Sequence, residues 1–521
     1  MNLRSPAVSR TTAKPGLVVA ILALTGMAVS IMQTIVVPLL PHLPDILHTS
    51  AENSSWVLTV TLMVGAVFTP IAGRLGDMLG KRRMLMITTT MMVVGSVLCA
   101  FSSSLVPMLI GRALQGMSLG SIALGISLMR DILPKERLGS AVALMSATLG
   151  IGGAIGLPLS ALVAQNLSWH YLFVGSAVLG AIAFIAVLLV IPESKVRSGG
   201  SFDARGAALL SALLVSMLFG FTKTASWGWG DWRVLGCFAL AIVFGLLFVR
   251  VEKRARFAMV DIAVTMRPAV RYTNLASILV GFAMYTCNLV VTQLLQAPTS
   301  TGYGFGQSMV VAGLFAAPMG FLMMALSPLG ARLIKSHGAR FAFLSGIAVI
   351  GLGFLAGIFM VQAPWELIIV SMLVGAGVAL SYAAAPTLIM GSVPRTQTAA
   401  ANSVNTLSRS VGTSLAAAVH GSILATAFIP GGTMYGPLDP FQLCFALAVL
   451  ACAVAFVTAL RIPNDRSIPE LDIAAQVAAQ PTPASSPSVG APHHVRRPIV
   501  PRPGVVRRRT ARRPAGRTVR K

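Results

Sequence analysis

A carboxylate set among basic residues in a tight turn can accept backbone N–H groups or a guanidinium. The chain holds one such arrangement, Gly73-Arg-Leu-Gly-Asp77-Met-Leu-Gly80-Lys81-Arg82-Arg83, with Asp77 its only acid. It lies between two long apolar runs, one ending near Ala72 and one starting near Met84. Gly73, Gly76 and Gly80 permit the turn. A second arrangement is Arg112-Ala-Leu-Gln115-Gly116, beginning inside another apolar run. A cation there is costly and is a functional candidate by default, unless it snorkels to headgroups. Gln115 lies one turn on, on the same face.

Proton transfer needs a group that changes charge, and carboxylates raised by burial are the usual device. The chain has 15 Asp and Glu against 40 Lys and Arg. None of the acids falls in the middle of an apolar run. Two candidates to carry the proton remain: Asp45, next to the first run, and His420, inside a late one. Arg112 is the third coupling candidate, as a fixed positive charge that discourages proton retention nearby.

These residues need elements to hold them. The 521 residues are 55% hydrophobic and 11% charged, with a mean hydropathy of +0.80. That is too apolar for a water-soluble globule. Membrane crossings take roughly 20 apolar residues each. The first runs from Leu17 to Leu40, too long for a signal peptide. Others follow near 56–72, 85–101, 107–128, 138–164, 171–191, 206–221, 234–249, 272–295, 309–326, 342–361, 367–390, 402–428 and 441–460, giving about fourteen. Loops after even-numbered spans are basic, among them Arg332–Arg340 and Arg395–Arg409, and Trp56, Trp169, Trp227, Trp229, Trp232 and Trp365 fall at the other ends. The pattern places both termini in the cytoplasm. The five cysteines have spacings that suit neither zinc nor disulfides.

The chain repeats. Thr69–Arg82 aligns with Ser327–Arg340 at an offset of about 258 residues, and Pro134 and Gly152 pair with Pro394 and Gly412 at about 260. Gly80 thereby meets Gly338, and Asp77 meets Lys335. Spans one to six correspond to nine to fourteen, with seven and eight inserted. In the ninth span Ser277, Gly281, Tyr285, Asn288, Thr292 and Gln296 form a polar stripe. Such a stripe faces the bundle interior, either along a substrate path or as hydrogen-bonding glue between helices. With Gln33 and Thr34 of the first span and Gln115 of the fourth, Tyr285, Asn288 and Thr292 are candidates for the path.

From Asn464 the chain is rich in Ala, Pro, Ser and Gln, then strongly basic from Arg496. A polybasic tail beside a membrane suits anionic lipid headgroups. Nucleic acid is not expected, since aromatics for base stacking are absent. The tail carries much of the +25 net charge.

The Gly73–Arg83 stretch resembles the signature loop of the major facilitator superfamily, matching at Gly73, Leu75, Asp77, Gly80, Lys81 and Arg82. Met78 departs from it, where the family usually has a basic residue. The resemblance implies that this loop latches the two halves of the fold in the outward-facing state. Arg112-Ala-Leu-Gln115-Gly116 resembles a second motif of the family. Gly150-Ile-Gly152-Gly153-Ala-Ile-Gly156-Leu-Pro158 resembles its antiporter motif in part, and points to export. Gly152, Gly156 and Pro158 are then helix-packing residues. Together the motifs are similar to the fourteen-span drug–proton antiporters. That branch has an acid in the first span where this chain has Met32.

The expected fold is an all-α integral membrane protein of two pseudo-symmetric six-helix bundles plus two inserted helices. Its expected organisation is a cytoplasmic N-terminus at 1–16, bundles at 17–191 and 272–460, loops and inserted helices at 192–271, and a disordered basic tail at 461–521. The expected function is export of hydrophobic or amphipathic, drug-like small molecules across a bacterial-type cell membrane by proton antiport. No enzyme activity, cofactor or metal is expected; the expected partners are the substrate, protons and anionic lipids. Export of a self-made metabolite or envelope lipid, or a membrane sensor signalling through the tail, are the alternatives.

Overall fold

The computed structural model describes residues 14–39, 43–299, 304–427 and 440–464. The expectations for residues 1–13 and for the basic tail beyond residue 464, including its lipid contacts, lie outside them. The described residues form helices and no strand.

The first half contains α1 (Pro15–Thr34), the short α2 (Leu43–Ile46), α3 (Ala51–Leu79), α4 (Lys81–Ala100), α5 (Leu105–Met117), α6 (Gly120–Ile132), α7 (Lys135–Asn166) and α8 (His170–Val190). α9 (Ala204–Trp227) and α10 (Trp232–Glu252) follow, then the short α11 (Ile262–Thr265). The second half contains α12 (Pro268–Thr286), α13 (Thr292–Gln296), α14 (Met309–Ala325), α15 (Ser327–His337), α16 (Ala339–Phe359), α17 (Pro364–Ser392), α18 (Thr398–Ala427) and α19 (Pro440–Leu460). Side-chain caps set several starts. Ser50, Asp203, Asp231, Asp261 and Ser308 each accept a backbone N–H of the helix that follows.

Twelve of these helices or joined helices are long and apolar enough to cross a membrane, and α14 with α15, bent by 40°, makes a thirteenth. α18 stands where the remaining expected span was placed. It is 30 residues long, and its Asn402, Ser403, Asn405, Arg409 and His420 are buried against protein. Arg409, which the sequence placed both at the end of the basic loop Arg395–Arg409 and in the span at 402–428, lies inside this helix.

Each half has its own apolar core, one built on Leu22, Met92, Leu124 and Val142, the other on Phe343, Ile350, Phe354 and Phe445. The inserted α9 belongs to neither. Its Leu210 and Leu214 pack with Val67 and Ile71 of α3 and with Leu407 of α18, so it straddles the seam between halves. α10 lies outermost, with Leu235, Leu240, Ile242 and Leu246 exposed.

The repeat is visible in the backbone. α3 gives way to α4 at Gly80, with φ +116°, and α15 to α16 at Gly338, with φ +90°. Side chains rarely adopt such angles, so glycine lets two helices meet without a loop. In both halves the Arg two residues on donates to a late carbonyl of the half's last helix: Arg82 to Leu188 at 2.7 Å, Arg340 to Leu460 at 2.6 Å.

Candidate functional site

The Gly80 joint aims Asp77 at the other half. Its carboxylate accepts the backbone N–H groups of Ala399 at 3.2 Å and Ala400 at 2.9 Å. These are first-turn donors of α18, which have no partner within their own helix. Lys81 completes the contact. Its Nζ is 3.5 Å from Asp77, 2.6 Å from Asp131, and donates to Thr398 Oγ1 at 3.0 Å. Ser127 donates to the same Thr398 oxygen at 2.7 Å, and Arg130 to the Val393 carbonyl at 3.3 Å. Asp77 is 1% exposed and Lys81 fully buried, so solvent screens little of this charge. Gly73 matters for a steric reason: a Cβ there would run into Ser403 and the Ala399 carbonyl. Glu193 caps the start of α4 by accepting from Arg82 and Arg83 N–H groups, each at 3.2 Å. Arg82 is thus bound within its own half, while Asp77 and Lys81 reach across. Asp131 and Thr398 were not singled out from the sequence. An acid beside Arg130 in the basic stretch Arg130–Arg137 was the signal for the first.

Arg112 is fully buried inside the first half. Its Nε donates to the Val57 carbonyl at 3.1 Å, and Nη1 to Gln115 Oε1 at 2.6 Å and to the Met32 carbonyl at 3.4 Å. The Met32 sulfur, at the place of the resembled pattern's acid, is 3.7 Å from Nη1. Nη2 has no partner. Gln115 passes the network on to Ser96 at 2.7 Å. Both residues are therefore interior to the half, and Gln115 is held between helices.

A cleft of about 170 Å³ opens along the seam. Leu58 and Leu62 of α3, Phe221 and Thr222 of α9, Tyr285 of α12 and Thr413 of α18 line it. Tyr285 is the candidate path residue the structure brings there. Asn288 turns back to the Met284 carbonyl at 3.0 Å, inside a π-helical turn at Cys287–Val291 that the polar stripe did not reveal. Nearer the latch the stripe serves as glue, for Ser277 accepts from Asn405 of α18 at 2.9 Å and Gly281 abuts the Arg409 backbone. Thr34 donates to the Ile31 and Gly152 carbonyls at 3.0 and 3.2 Å, docking α1 on α7. Gln33 and Thr292 are half-buried.

The glycines of α7 lie at close helix contacts. A Cβ at Gly152 would strike Ser30, and one at Gly156 would strike Thr34. Gly150 meets Gly320 of α14, so small residues also bring the two halves together. Pro158 lies inside α7. Asp45 is exposed on α2. His420 is fully buried; its Nε2 is 2.7 Å from Thr286 Oγ1, and its Nδ1 has no partner. The five cysteines are free thiols. No group of His, Cys, Asp or Glu able to hold a metal exists among the described residues.

Comparison with known proteins agrees with this geometry. The model of the Major Facilitator Superfamily matches residues 22–251 and 273–510. The chain is 27% identical over 389 residues to the multidrug resistance protein Stp of Mycobacterium tuberculosis, covering 74% of this chain and 71% of that one. It is 27% identical over 408 residues to the tetracenomycin C resistance and export protein of Streptomyces glaucescens, covering 77% and 74%. The fold is similar to the crystal structure of the human organic anion transporter MFSD10, with a TM-score of 0.62, 16% identity, and coverage of 85% and 99%. With its two halves, its Asp77 contact and the matched family model over most of its length, the chain belongs to the major facilitator superfamily of membrane transporters.

Proposed function

We propose that this transporter exports hydrophobic or amphipathic, drug-like small molecules, and that proton entry drives it. The observation that carries the reading is the Asp77 carboxylate on the first turn of α18, which binds one half to the other at a single end. With the termini in the cytoplasm, that end is cytoplasmic. Breaking the contact would open the path inward, and remaking it would return the path to the outer face. The multidrug and tetracenomycin C relatives support an exported, drug-like substrate. The chain then has two pseudo-symmetric bundles, at 17–191 and 272–460, with α9 and α10 between them.

For the proton, His420 is the buried histidine of the second half, and Asp45 the acid nearest the first span. The test is uptake of a compound panel into inverted vesicles, with and without a pH gradient, for wild type, Asp45→Asn and His420→Gln. Gradient-dependent accumulation lost in His420→Gln supports the assignment. Full uphill transport by both variants excludes both groups. Downhill flux alone in wild type excludes the antiporter and leaves a facilitator.

A further inference from the structure

We propose that the transported species is an organic anion, bound through Arg409 at the seam between the halves and drawn outward by the membrane potential. The proposal rests on the export reading above and names its substrate class.

Every Asp and Glu in the long helices stands near a helix end. Asp77 and Asp131 are in last turns, Glu52, Glu136 and Glu366 in first turns, and Glu252 is the last residue of α10. The other acids among the described residues lie outside the long helices. Two arginines do not follow this rule. Arg112 lies within α5 and Arg409 within α18, each well inside its helix, at 0% and 7% exposure.

Their partners are all neutral. Arg112 has two carbonyls, an amide oxygen and a thioether, and Nη2 is left over. Arg409 lies 4.4 Å over the Tyr382 ring and donates to Thr406 Oγ1 at 3.2 Å. Dipoles and a ring face orient a guanidinium but leave its net charge uncancelled. A buried charge without a counter-charge is strongly unfavourable. Among the described residues the middles of the long helices hold these two arginines and no carboxylate, so the substrate is the group that can supply one.

Arg409 is in position to meet it. Thr413, on the cleft wall, is one turn along the same face of α18. Tyr382, beneath the guanidinium, accepts a 2.8 Å hydrogen bond at its carbonyl from Ser146 of the first half. Arg409 therefore sits where the halves meet. The nearby polar groups are also undersatisfied: both amide atoms of buried Asn402 and the Oδ1 of Asn405 lack partners. A planar guanidinium suits a carboxylate or sulfonate, and the apolar cleft wall of Leu58, Leu62 and Phe221 suits the rest of an amphipath.

Such a substrate changes the energetics. An anion leaving the cell carries negative charge outward, the direction an inside-negative potential favours. Proton entry in exchange would add to the same drive. A carboxylate in the membrane interior, useful for a cationic substrate, would here repel the cargo.

The test uses the full chain in proteoliposomes at equal pH on both sides, with valinomycin and inward K⁺ making the lumen positive. The probes are aryl sulfonates and size-matched aryl quaternary ammonium compounds, whose charges do not titrate. The sulfonates should accumulate at least about tenfold for each ~59 mV, the factor for one charge. The ammonium compounds should not. Arg409→Gln should abolish accumulation and Arg409→Lys should retain part of it; equal loss in both, with sulfonates still raising the thermal stability of each variant as in wild type, overturns the role of Arg409. Ammonium accumulation into an acidic lumen, with sulfonates level under either gradient, overturns the anion assignment and leaves the exporter reading standing. No movement of either class under either gradient removes the exporter reading and this inference together.

Discussion

The Asp77 carboxylate and the Ala400 backbone N–H, 323 residues apart, are joined by a 2.9 Å hydrogen bond across the two halves. The bond gains from two sources: α18's N-terminus carries partial positive charge, and its first N–H groups lack intrahelical partners. Asp77→Asn keeps the shape and removes the charge. A loss of about 1–2 kcal/mol is expected for a partly buried helix-terminus contact. That shifts the closed-to-open ratio roughly 5–30-fold. Cysteine placed at buried Ser403, in a background without the five native cysteines, should react with a thiol reagent faster in Asp77→Asn than in its absence. Unchanged labelling together with unchanged transport would reduce the contact to a folding element.

Arg112 is expected to resist replacement even by lysine. It bridges three separate acceptors on α1, α3 and its own helix, a fork that an ammonium cannot reproduce. Arg112→Lys and Arg112→Met should both insert in the membrane. Each leaves buried acceptors unpaired, at about 1–3 kcal/mol per group. Thermal unfolding of the purified variants checks the stability loss, and transport by Arg112→Lys at the wild-type rate would contradict the need for the fork.

Glycine substitutions should separate close packing from open space on the same protein. A Cβ at Gly412 would run into the Ile278 carbonyl, whereas Gly153 has nothing within 4 Å. Gly412→Val should lower stability by about 1–3 kcal/mol, as overpacking typically does, and Gly153→Ala should not. Equal melting temperatures for the two variants would mean that α12 and α18 separate at little cost.

Much of this was legible in the sequence because membrane helices advertise themselves. Apolar length and basic loops located the spans. The Gly80–Gly338 alignment anticipated two positive-φ joints, since glycine is retained where only glycine fits. Asp77 stood out as the lone acid of its turn. What escaped were relationships that depend on tertiary contact. Lys81 reads as part of the latch loop, but its burial between Asp77 and Asp131 was not legible. Arg409 counts in a basic loop although the span at 402–428 already contains it, because loop charge is read without the burial that only tertiary contact shows. The stripe from Ser277 to Gln296 presumed an unbroken helix, and the π turn at Cys287–Val291 shifts what lies beyond it.

The cleft allows one further expectation. Tyr285 and Thr413 line it from α12 and α18, while Thr222 closes it from the inserted α9. α9 packs against both α3 and α18, so it screens this part of the seam from lipid. A cysteine at Thr413 in the cysteine-free background should react with a small membrane-impermeant thiol reagent applied at the face opposite Gly73–Arg83. A bulky amphipathic substrate should slow that reaction by occupying the same space. A cysteine at Ser277, held by Asn405 at the buried helix contact, should stay unreactive under the same conditions. The two positions are on facing helices, so their difference reports depth along the seam rather than general loosening. Substitution of Thr222 by Trp should fill the cleft and lower both labelling and transport. Full transport by Thr222→Trp, with labelling at Thr413 unprotected by substrate, would place the path elsewhere between the halves.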